Sequence, residues 1–517
     1  MRKFFTFVKT NSLTISILIL LLLLTAAIRI LVTQKGNFPF WFDVGRDAII
    51  SREILEKKDL KIQGPNASGT GDTVFHGVLY YYMIGPLYTL LGGDPRLVLI
   101  AMVCFSSLAV VPVFLLTQKL TSKKSIAILA SVMYAVSLES IRSGTWLSNP
   151  IIATVSLPTF FYLYYLVFFD QQRKLLPWLT LTLAITHQSV ILFAPWWGLI
   201  GLGFLLEAQK NSLKKWPIKT LILAGLSYLL GVSSMILAQL KVYLAGIFTP
   251  NSVIEYASWS GTDVQRILLG TLNLYVNKLT NSLTPTLPLL AVIIMVGIYF
   301  FLKSKIETKH QLMLFLMASA PLWLLSWHYR NMYHSFITTE IVVIISLAWL
   351  INYLWQNKVT KILAIGLFCL FILSNHQGFK LENAAKKTEY FLPQGAYFSD
   401  LLEVVDYSYQ QAEGQPFSIS TLTNPYGYNT LWSYLYSWYG QKKYGYTPSF
   451  YGPEQTGIFG ADLMPMTASP SAKHFSIWEP KEGIPDYLHD QFAMEQAKIS
   501  TPSATKQFGT LRIDSHR

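Results

Sequence analysis

The sequence predicts a mainly α protein: a polytopic transmembrane helical bundle of about 11 spans, with interfacial helices in its first outer loop and a C-terminal extracytoplasmic α/β domain. Composition is the first reason. Of the 517 residues, 52% are hydrophobic and 13% charged, and the mean hydropathy is +0.37, too apolar and too charge-poor for an ordinary soluble chain. The second is repetition of apolar runs of spanning or near-spanning length. The third is how the net charge of +13 is distributed. Basic residues fall in short clusters between apolar runs rather than in one stripe with interleaved aromatics, which reads as membrane topology and not as a nucleic-acid surface. Cys104 and Cys369 lie within apolar runs, with neither metal spacing nor a disulfide framework.

The opening stretch MRKFFTFVKTNSLTISILILLLLLTAAIRILVT joins a basic start to about 20 apolar residues, enough at 1.5 Å per residue to cross a core of roughly 30 Å. It is expected to be a retained first span with a cytoplasmic N-terminus, and an uncleaved signal anchor would read the same way. Further runs lie near residues 97–117, 125–141, 150–169, 177–187, 188–206, 219–240, 284–302, 311–327, 335–355 and 360–375. Alternation places QKLTSKK, DQQRK, KNSLKKWPIK, KSKIETK and QNKVTK inside, and each carries Lys or Arg, as the positive-inside rule requires. The later orientation depends on a break near THQS that divides residues 178–207 into two short spans.

Four connectors then fall on the outer side: residues 34–96, the RSGTWLSNP turn, residues 241–283 and WHYRNMYH. Residues 1–375 are expected to form the transmembrane domain and residues 376–517 an outer soluble domain, in a multi-pass protein of the cell membrane. The tail combines a helix-like stretch, YFSDLLEVVDYSYQQAEG, strand-like FSISTL, HFSIW and FGTLRID, and the aromatic segment YGYNTLWSYLYSWYGQKKYGY. It is long enough to own a core. In the first outer loop, HGVLYYYMIGPLYTLLGG is apolar but interrupted by Pro86, and its helical part of about 20 Å is too short to cross. It is expected along the outer interface, with its tyrosines among the headgroups.

Chemistry is expected where FWFDVGRDA leaves the first span. Asp43 and Asp47 are four apart, so a helix puts both on one face with Arg46 beside them. Either the pair caps an interfacial helix, aspartate being favoured at its positive end, or it holds an acid at the membrane edge without burial in hydrocarbon. FDVGRDA followed by FHGVLYYYMIGPLYTLLGGDPRLV resembles the first outer loop of the GT-C class of membrane glycosyltransferases, in particular the protein mannosyltransferase and aminoarabinose transferase relatives. Those relatives carry an aspartate soon after the first span, commonly as DE, and then an H-P-P-L-Y stretch leading into an interfacial helix. Asp43 stands at the aspartate, and His76, Leu79 and Tyr80 match the second stretch. Val44 stands where many relatives have glutamate, which argues against a metal or second-acid role for that neighbour; Gly77-Val78 replace the proline pair and leave the loop geometry open.

The resemblance implies transfer of a sugar from a polyprenyl-phosphate donor to an acceptor lipid, glycan or protein at the outer membrane face, with inversion at the anomeric carbon. Hydrolysing a glycoside by inversion takes two carboxyls. A phosphate leaves as a stable anion, so one carboxylate acting as base on the acceptor suffices where cations or N–H donors receive the departing charge. Asp43 is the expected general base and Asp47 a second acid. No cofactor is required, and Asp43 without a neighbouring glutamate offers a divalent metal a poor site.

Donor-phosphate or substrate contacts are expected from Arg46, His76, Tyr80, His187, His328, Arg330 and His334, all near outer helix ends in this topology. Arg330 in WHYRNMYH leads because a guanidinium grips phosphate bidentately, with headgroup snorkelling as its alternative. His187 interrupts an apolar run, where an ionisable residue is costly; a helix-break histidine satisfied by a carbonyl explains it equally well. Glu139 and Arg142 read as a structural pair, Glu340 as a packed glutamate or a buried partner for an outer histidine, SNP at 148–150 as a cap and first turn, and NAS at 66–68 as a chance sequon. The competing functional class is a transporter or flippase for lipid-linked sugars. It would place broken helices and charges near the midplane in two matching halves, whereas here no internal repeat is visible and polar residues gather at one face. A glycan receptor built on the aromatic tail segment would need far fewer spans.

Overall fold

The computed structural model describes residues 12–66, 74–246, 261–327, 333–337, 339–386 and 396–516. Every predicted apolar run carries helix. The order is α1 (Ser12–Val32), α2 (Phe42–Glu56), α3 (Leu79–Leu90), α4 (Pro95–Ser107) running on into α5 (Val110–Thr121), and α6 (Lys124–Val136) bent by 64° into α7 (Leu138–Gly144). Then come α8 (Ala153–Tyr164), α9 (Leu176–Ser189), α10 (Trp197–Gln209), and α11 (Ile218–Gly231) bent by 58° into α12 (Ser233–Leu244). The bundle ends with α13 (Gly261–Leu283), α14 (Pro288–Lys305), α15 (Thr308–Ser319), α16 (Thr339–Trp355) and α17 (Lys361–Ala385).

Among the described residues, six helical runs are long and apolar enough to cross a membrane, or eight if each bent pair is one crossing. This is fewer than the expected eleven, for a physical reason. Helices α9, α10 and α15 have only 14, 13 and 12 residues, about 18–21 Å, and the apolar sequence beside them turns into 3-10 helix at Ile191–Trp196 and Ala320–Trp327. The expected break at THQS is present, since α9 ends at Ser189. Leu289, Ile362 and Leu20 are 82%, 81% and 68% exposed, a surface suited to lipid and not to water.

Residues 241–283 depart from the expected outer loop, because α13 fills 23 of them. Its polar residues keep its hydropathy below that of a span, while Ile267, Leu268, Thr271, Leu272, Leu274, Tyr275, Leu279 and Leu283 recur at helical spacing. Arg29 of α1, fully buried, donates to Ser106 Oγ at 2.8 Å and to Ser140 Oγ at 2.8 Å, tying α1 to α4 and α7. Its stem and head lie against Gly144, where any Cβ would meet the guanidinium carbon at 2.3 Å.

The C-terminal part is α/β. Helix α18 (Phe398–Ala412) leads into β1 (Ser418–Leu422), α19 (Thr430–Leu435) with its π-helical continuation Tyr436–Gly440, and α20 (Gln441–Tyr444). β2 (Ser449–Phe450), β3 (His474–Trp478), α21 (Asp486–Ile499), β4 (Ala504–Phe508) and β5 (Leu511–His516) follow. The sheet order is β2-β1-β3-β5-β4, with β1 parallel to both neighbours and β5 antiparallel to β3 and β4. FGTLRID is therefore not one strand: Gly509 at φ +57° turns it into a hairpin.

This sheet packs toward the segment between α1 and α4. Phe40 N–H donates to Ala396 O at 2.8 Å and Phe398 N–H to Phe38 O at 2.9 Å. One hydrophobic core contains Phe38, Phe40, Val44, Tyr80, Tyr88, Phe398, Leu431, Trp432 and Ile513, so the segment just beyond α1 and the tail share their interior. Three of the four tyrosines of α3 serve this core rather than headgroups, whereas Tyr82 is 37% exposed. Tyr80, Tyr81 and Tyr88 are at most 1% exposed, because α3 lies against α2 with Gly85 over the Ser51 carbonyl.

Candidate active site

Helix α2 begins at Phe42 after an extended Trp41, which puts Asp43 in its first turn, where the helix dipole favours a carboxylate. The next turn carries Arg46 and Asp47 on the same face, as the i, i+4 spacing requires. Arg46 Nη1 donates to Asp43 Oδ1 at 2.6 Å, while its Nε and Nη2 donate to Asp47 Oδ1 at 2.9 and 2.7 Å. The guanidinium fills the place that a cation would take between the two carboxylates. Among the described residues no group of three or more His, Cys, Asp or Glu side chains could hold a metal ion.

The two acids differ sharply in environment. The Asp43 side chain is 45% exposed and that of Asp47 1%. Trp41 Nε1 donates to the second Asp43 oxygen at 3.2 Å, so this carboxylate is aimed by donors on both sides and still open. Asp47 Oδ2 is buried, on the side where the Tyr81 hydroxyl favours its charged form. Burial pushes the Asp47 pKa up to about 6, with Arg46 opposing the rise and Asp43 adding to it. Burial also opposes charge on Arg46, but Asp47 and Asp43 outweigh it and raise its pKa further. Tyr80 and Tyr81 line the buried side, both near enough to couple to the Asp47 charge. Tyr80 thus stands behind Asp47, its hydroxyl unpartnered and fully enclosed.

His76 reaches the same place from the loop before α3. Its backbone N–H donates to Pro65 O at 2.8 Å, and that of Gly77 to Gln188 O at 2.9 Å. Gln188 in turn donates from Nε2 to Gly231 O and Ser234 Oγ, both at 2.8 Å. There is no room at Gly77 for a side chain, since a Cβ would meet Gln188 Oε1 at 1.6 Å; glycine in place of proline here lets the loop press against the end of α9. His76 Nδ1 accepts the Ile191 N–H at 3.1 Å, which leaves the ring proton on Nε2. Burial, with the charges of His334 and Arg46, drops its pKa to about 3, so it is a neutral N–H donor.

His334 couples electrostatically to Asp43 and to His76, and its ring lies 5.8 Å from that of Trp146. Trp146 also meets Trp41, with ring centroids 6.2 Å apart. Asp43, Arg46, Asp47, His76 and His334 therefore converge. His328 and Arg330 lie outside the described residues. His187 does not join the group: its Nδ1 contacts Tyr228 Oη at 2.7 Å and its Nε2 the Phe193 carbonyl at 3.0 Å. That is the carbonyl-satisfied histidine of a helix break, bracing the turn that supplies Ile191 N–H to His76.

Glu139 and Arg142 do pair, at 2.6 Å, within a larger buried knot. Arg142 Nε also meets Glu382 Oε2 at 2.6 Å, Tyr333 Oη donates to Glu139 Oε1 at 2.6 Å, and Lys278 of α13 pairs with Glu139. This knot ties α7, α13 and α17 beneath the segment that carries His334. The aromatic partners Trp41 and Trp146 are absent from the sequence-based candidates, although Trp41 lies two residues from Asp43 and Trp146 sits in the RSGTWLSNP turn. The NAS sequon begins at Asn66, and its other two residues are outside the described residues.

No protein-family model and no curated protein matches this chain. Among solved structures it is similar to the Archaeoglobus fulgidus oligosaccharyltransferase. The apo form gives a TM-score of 0.45 at 12% identity, covering 81% of this chain and 63% of that one. The archaeal oligosaccharyltransferase AglB from A. fulgidus, in complex with an inhibitory peptide and a dolichol-phosphate, gives 0.47 at 12% identity, over 96% of this chain and 73% of that one. The form tethered to an acceptor peptide containing the NVT sequon gives 0.44 at 14%, over 83% and 63%. The chain thus spans less than two thirds of the apo and tethered structures' own length.

Proposed function

We propose that this chain is an integral membrane glycosyltransferase that moves a sugar from a polyprenyl-phosphate donor to an acceptor, with Asp43 as general base. The observation that carries the reading is the asymmetry of the two aspartates: one carboxylate open and aimed by Trp41 and Arg46, the other enclosed behind the same guanidinium. In an inverting displacement, Asp43 takes the proton of the acceptor hydroxyl or amine as its heteroatom attacks the anomeric carbon. The bond from that carbon to the phosphate oxygen breaks, and the lipid phosphate leaves with the electron pair.

The departing phosphate needs donors placed in advance. Arg46 uses three of its five N–H groups on the aspartates, which leaves two for phosphate oxygens. The neutral Nε2–H of His76 and the ring of His334 supply further polar contacts, and Arg330 belongs to the same proposal from its sequence position. Asp47 keeps Arg46 charged and oriented rather than acting as a second acid on substrate. Exposed apolar helices in the same chain support access of a prenyl chain from the bilayer.

The test is Asp43→Asn in purified protein, assayed for transfer from a mixed pool of polyprenyl-phosphate sugars. Loss of a positioned base lowers turnover by about 100- to 10,000-fold. Transfer at the wild-type rate would remove Asp43 from the base role.

A further inference from the structure

The outer domain holds a cavity of about 280 Å³ that the proposed chemistry does not use. It opens at the carboxyl ends of the parallel strands β1 and β2 and is walled by α21, a position where ligands of α/β sheets commonly bind. Its lining includes Thr421 at the end of β1, Tyr426 in the following loop, Tyr451 just after β2, and Phe492, Glu495 and Gln496 of α21. Two polar groups there lack protein partners among the described residues. Thr421 is 6% exposed and its hydroxyl makes no hydrogen bond. Gln496 Oε1 accepts from Ser476 Oγ at 2.6 Å, while the hydrogen-bond network gives its Nε2 no acceptor.

The lining selects a ligand class. Aromatic rings with a few convergent polar groups describe a small-molecule site, and the volume sits near the lower end of the range of about 300–1,000 Å³ for such sites. One hydroxyl, one amide and one carboxylate suit a compact polyol edge, and the faces of Tyr426, Tyr451 and Phe492 suit the C–H face of a sugar ring. Among the described residues no Lys or Arg lines the cavity, whereas Glu495 does, so phosphates and acidic sugars are disfavoured.

The cavity is also joined to the Asp43 rim by one short loop, hydrogen-bonded at both ends. Its beginning is held by Glu479, which accepts from Asn424 N–H and Trp432 Nε1, both at 3.0 Å. Buried Gln455 holds its end, accepting from Asn429 N–H at 3.0 Å and donating to Gly427 O at 2.8 Å. Within this loop Tyr426 faces the cavity, and Tyr428 meets the ring of Phe42, beside Asp43, edge-on at 5.8 Å.

We propose that this cavity is a saccharide subsite that seats one neutral sugar ring of a glycan substrate, a role that rests on the glycosyltransferase reading for the substrate's other end but not for binding itself. The full chain in nanodiscs is titrated with the methyl glycosides of glucose, mannose, galactose and N-acetylglucosamine, with glucuronic acid and inorganic phosphate as anionic controls. Binding is read by saturation-transfer NMR. At least one neutral glycoside is expected to bind saturably. Thr421→Val, which keeps the shape and removes the hydroxyl, and Tyr426→Ala, on a part-exposed loop, should each weaken it about tenfold. Asp43→Asn should leave this binding unchanged. The proposal is overturned if no neutral glycoside saturates, if the anions bind as tightly, or if both cavity variants bind like wild type. Transfer surviving in Asp43→Asn would instead overturn the base assignment and leave the subsite standing.

Discussion

Arg46 bridges an exposed and an enclosed carboxylate, and the difference in their surroundings makes its planar fork matter more than its charge. Arg46→Lys keeps one positive charge but cannot satisfy Asp43 and Asp47 together; transfer is expected to fall at least about tenfold with a raised donor KM, a loss that unchanged donor kinetics would disprove. The pH response of stability follows from Asp47. Its folded pKa of about 6 exceeds the unfolded value of about 3.9, so the folded chain holds this proton more tightly than the unfolded one. Asp47 therefore costs stability fully above pH 6, and the cost is relieved as pH falls through about 6 to 4, by about 3 kcal/mol in all. Asp47→Asn abolishes that dependence, so the gap in melting temperature between wild type and variant should change across this window; a constant gap would refute the enclosed carboxyl. His76, neutral down to about pH 3, should add no inflection to the transfer rate between pH 5 and 8. Asp43, Arg46 and Asp47 were legible because helical spacing alone sets them on one face. The burial that separates the two acids was not, since it comes from α3 and its tyrosines, 30 and more residues away in sequence.

At the scale of elements, α2 holds Asp43 in position only because α3 and α19 can approach it closely. Gly45 meets the Leu431 backbone, where an added Cβ would lie 3.2 Å from Leu431 Cα, and a Cβ added at Gly85 would lie 2.5 Å from Ser51 O. Gly85→Ala gains about 1 kcal/mol of helix propensity but forces α2 and α3 apart, at a cost of about 1–3 kcal/mol for overpacking. A lower melting temperature is expected, while Gly201→Ala, with nothing within 4 Å of its Cβ, should match or exceed wild type. Equal gains in both would show that α2 and α3 are not in tight contact. Helices with an apolar stripe of spanning length were legible from hydropathy. Helix α13 was not, because Asn273, Asn277, Lys278 and Asn281 dilute its hydropathy while its periodicity stays helical. At the short α9 and α15 the runs are apolar throughout, and only the backbone reveals where α-helix gives way to 3-10 turns.

For the whole molecule, the sequence suggests a division near residue 375, but the interior does not follow it. Tyr434 Oη donates to Gly93 O at 2.6 Å and Trp438 Nε1 to Gly92 O at 2.9 Å, clasping the tail to the turn between α3 and α4. Phe398 lies 5.1 Å from Phe38 and 5.0 Å from Phe40, ring to ring. A chain ending at residue 386 would therefore uncover Phe38, Phe40, Val44, Tyr80 and Tyr88, which are now at most 1% exposed. Each such side chain contributes about 1.5–3 kcal/mol when fully buried, so exposing all five removes about 7.5–15 kcal/mol, comparable to the whole 5–15 kcal/mol margin typical of a folded protein. The Asp43 rim should lose its order with them, since Gly45 and Phe42 rest on Leu431 and Tyr428 of the tail. The truncated chain is expected to aggregate on size exclusion or to lose the α2 region to protease, and to show no transfer even when the tail is added back in trans. A truncated chain that stays monodisperse and active would mean that the shared core is dispensable and that the tail is only a cover.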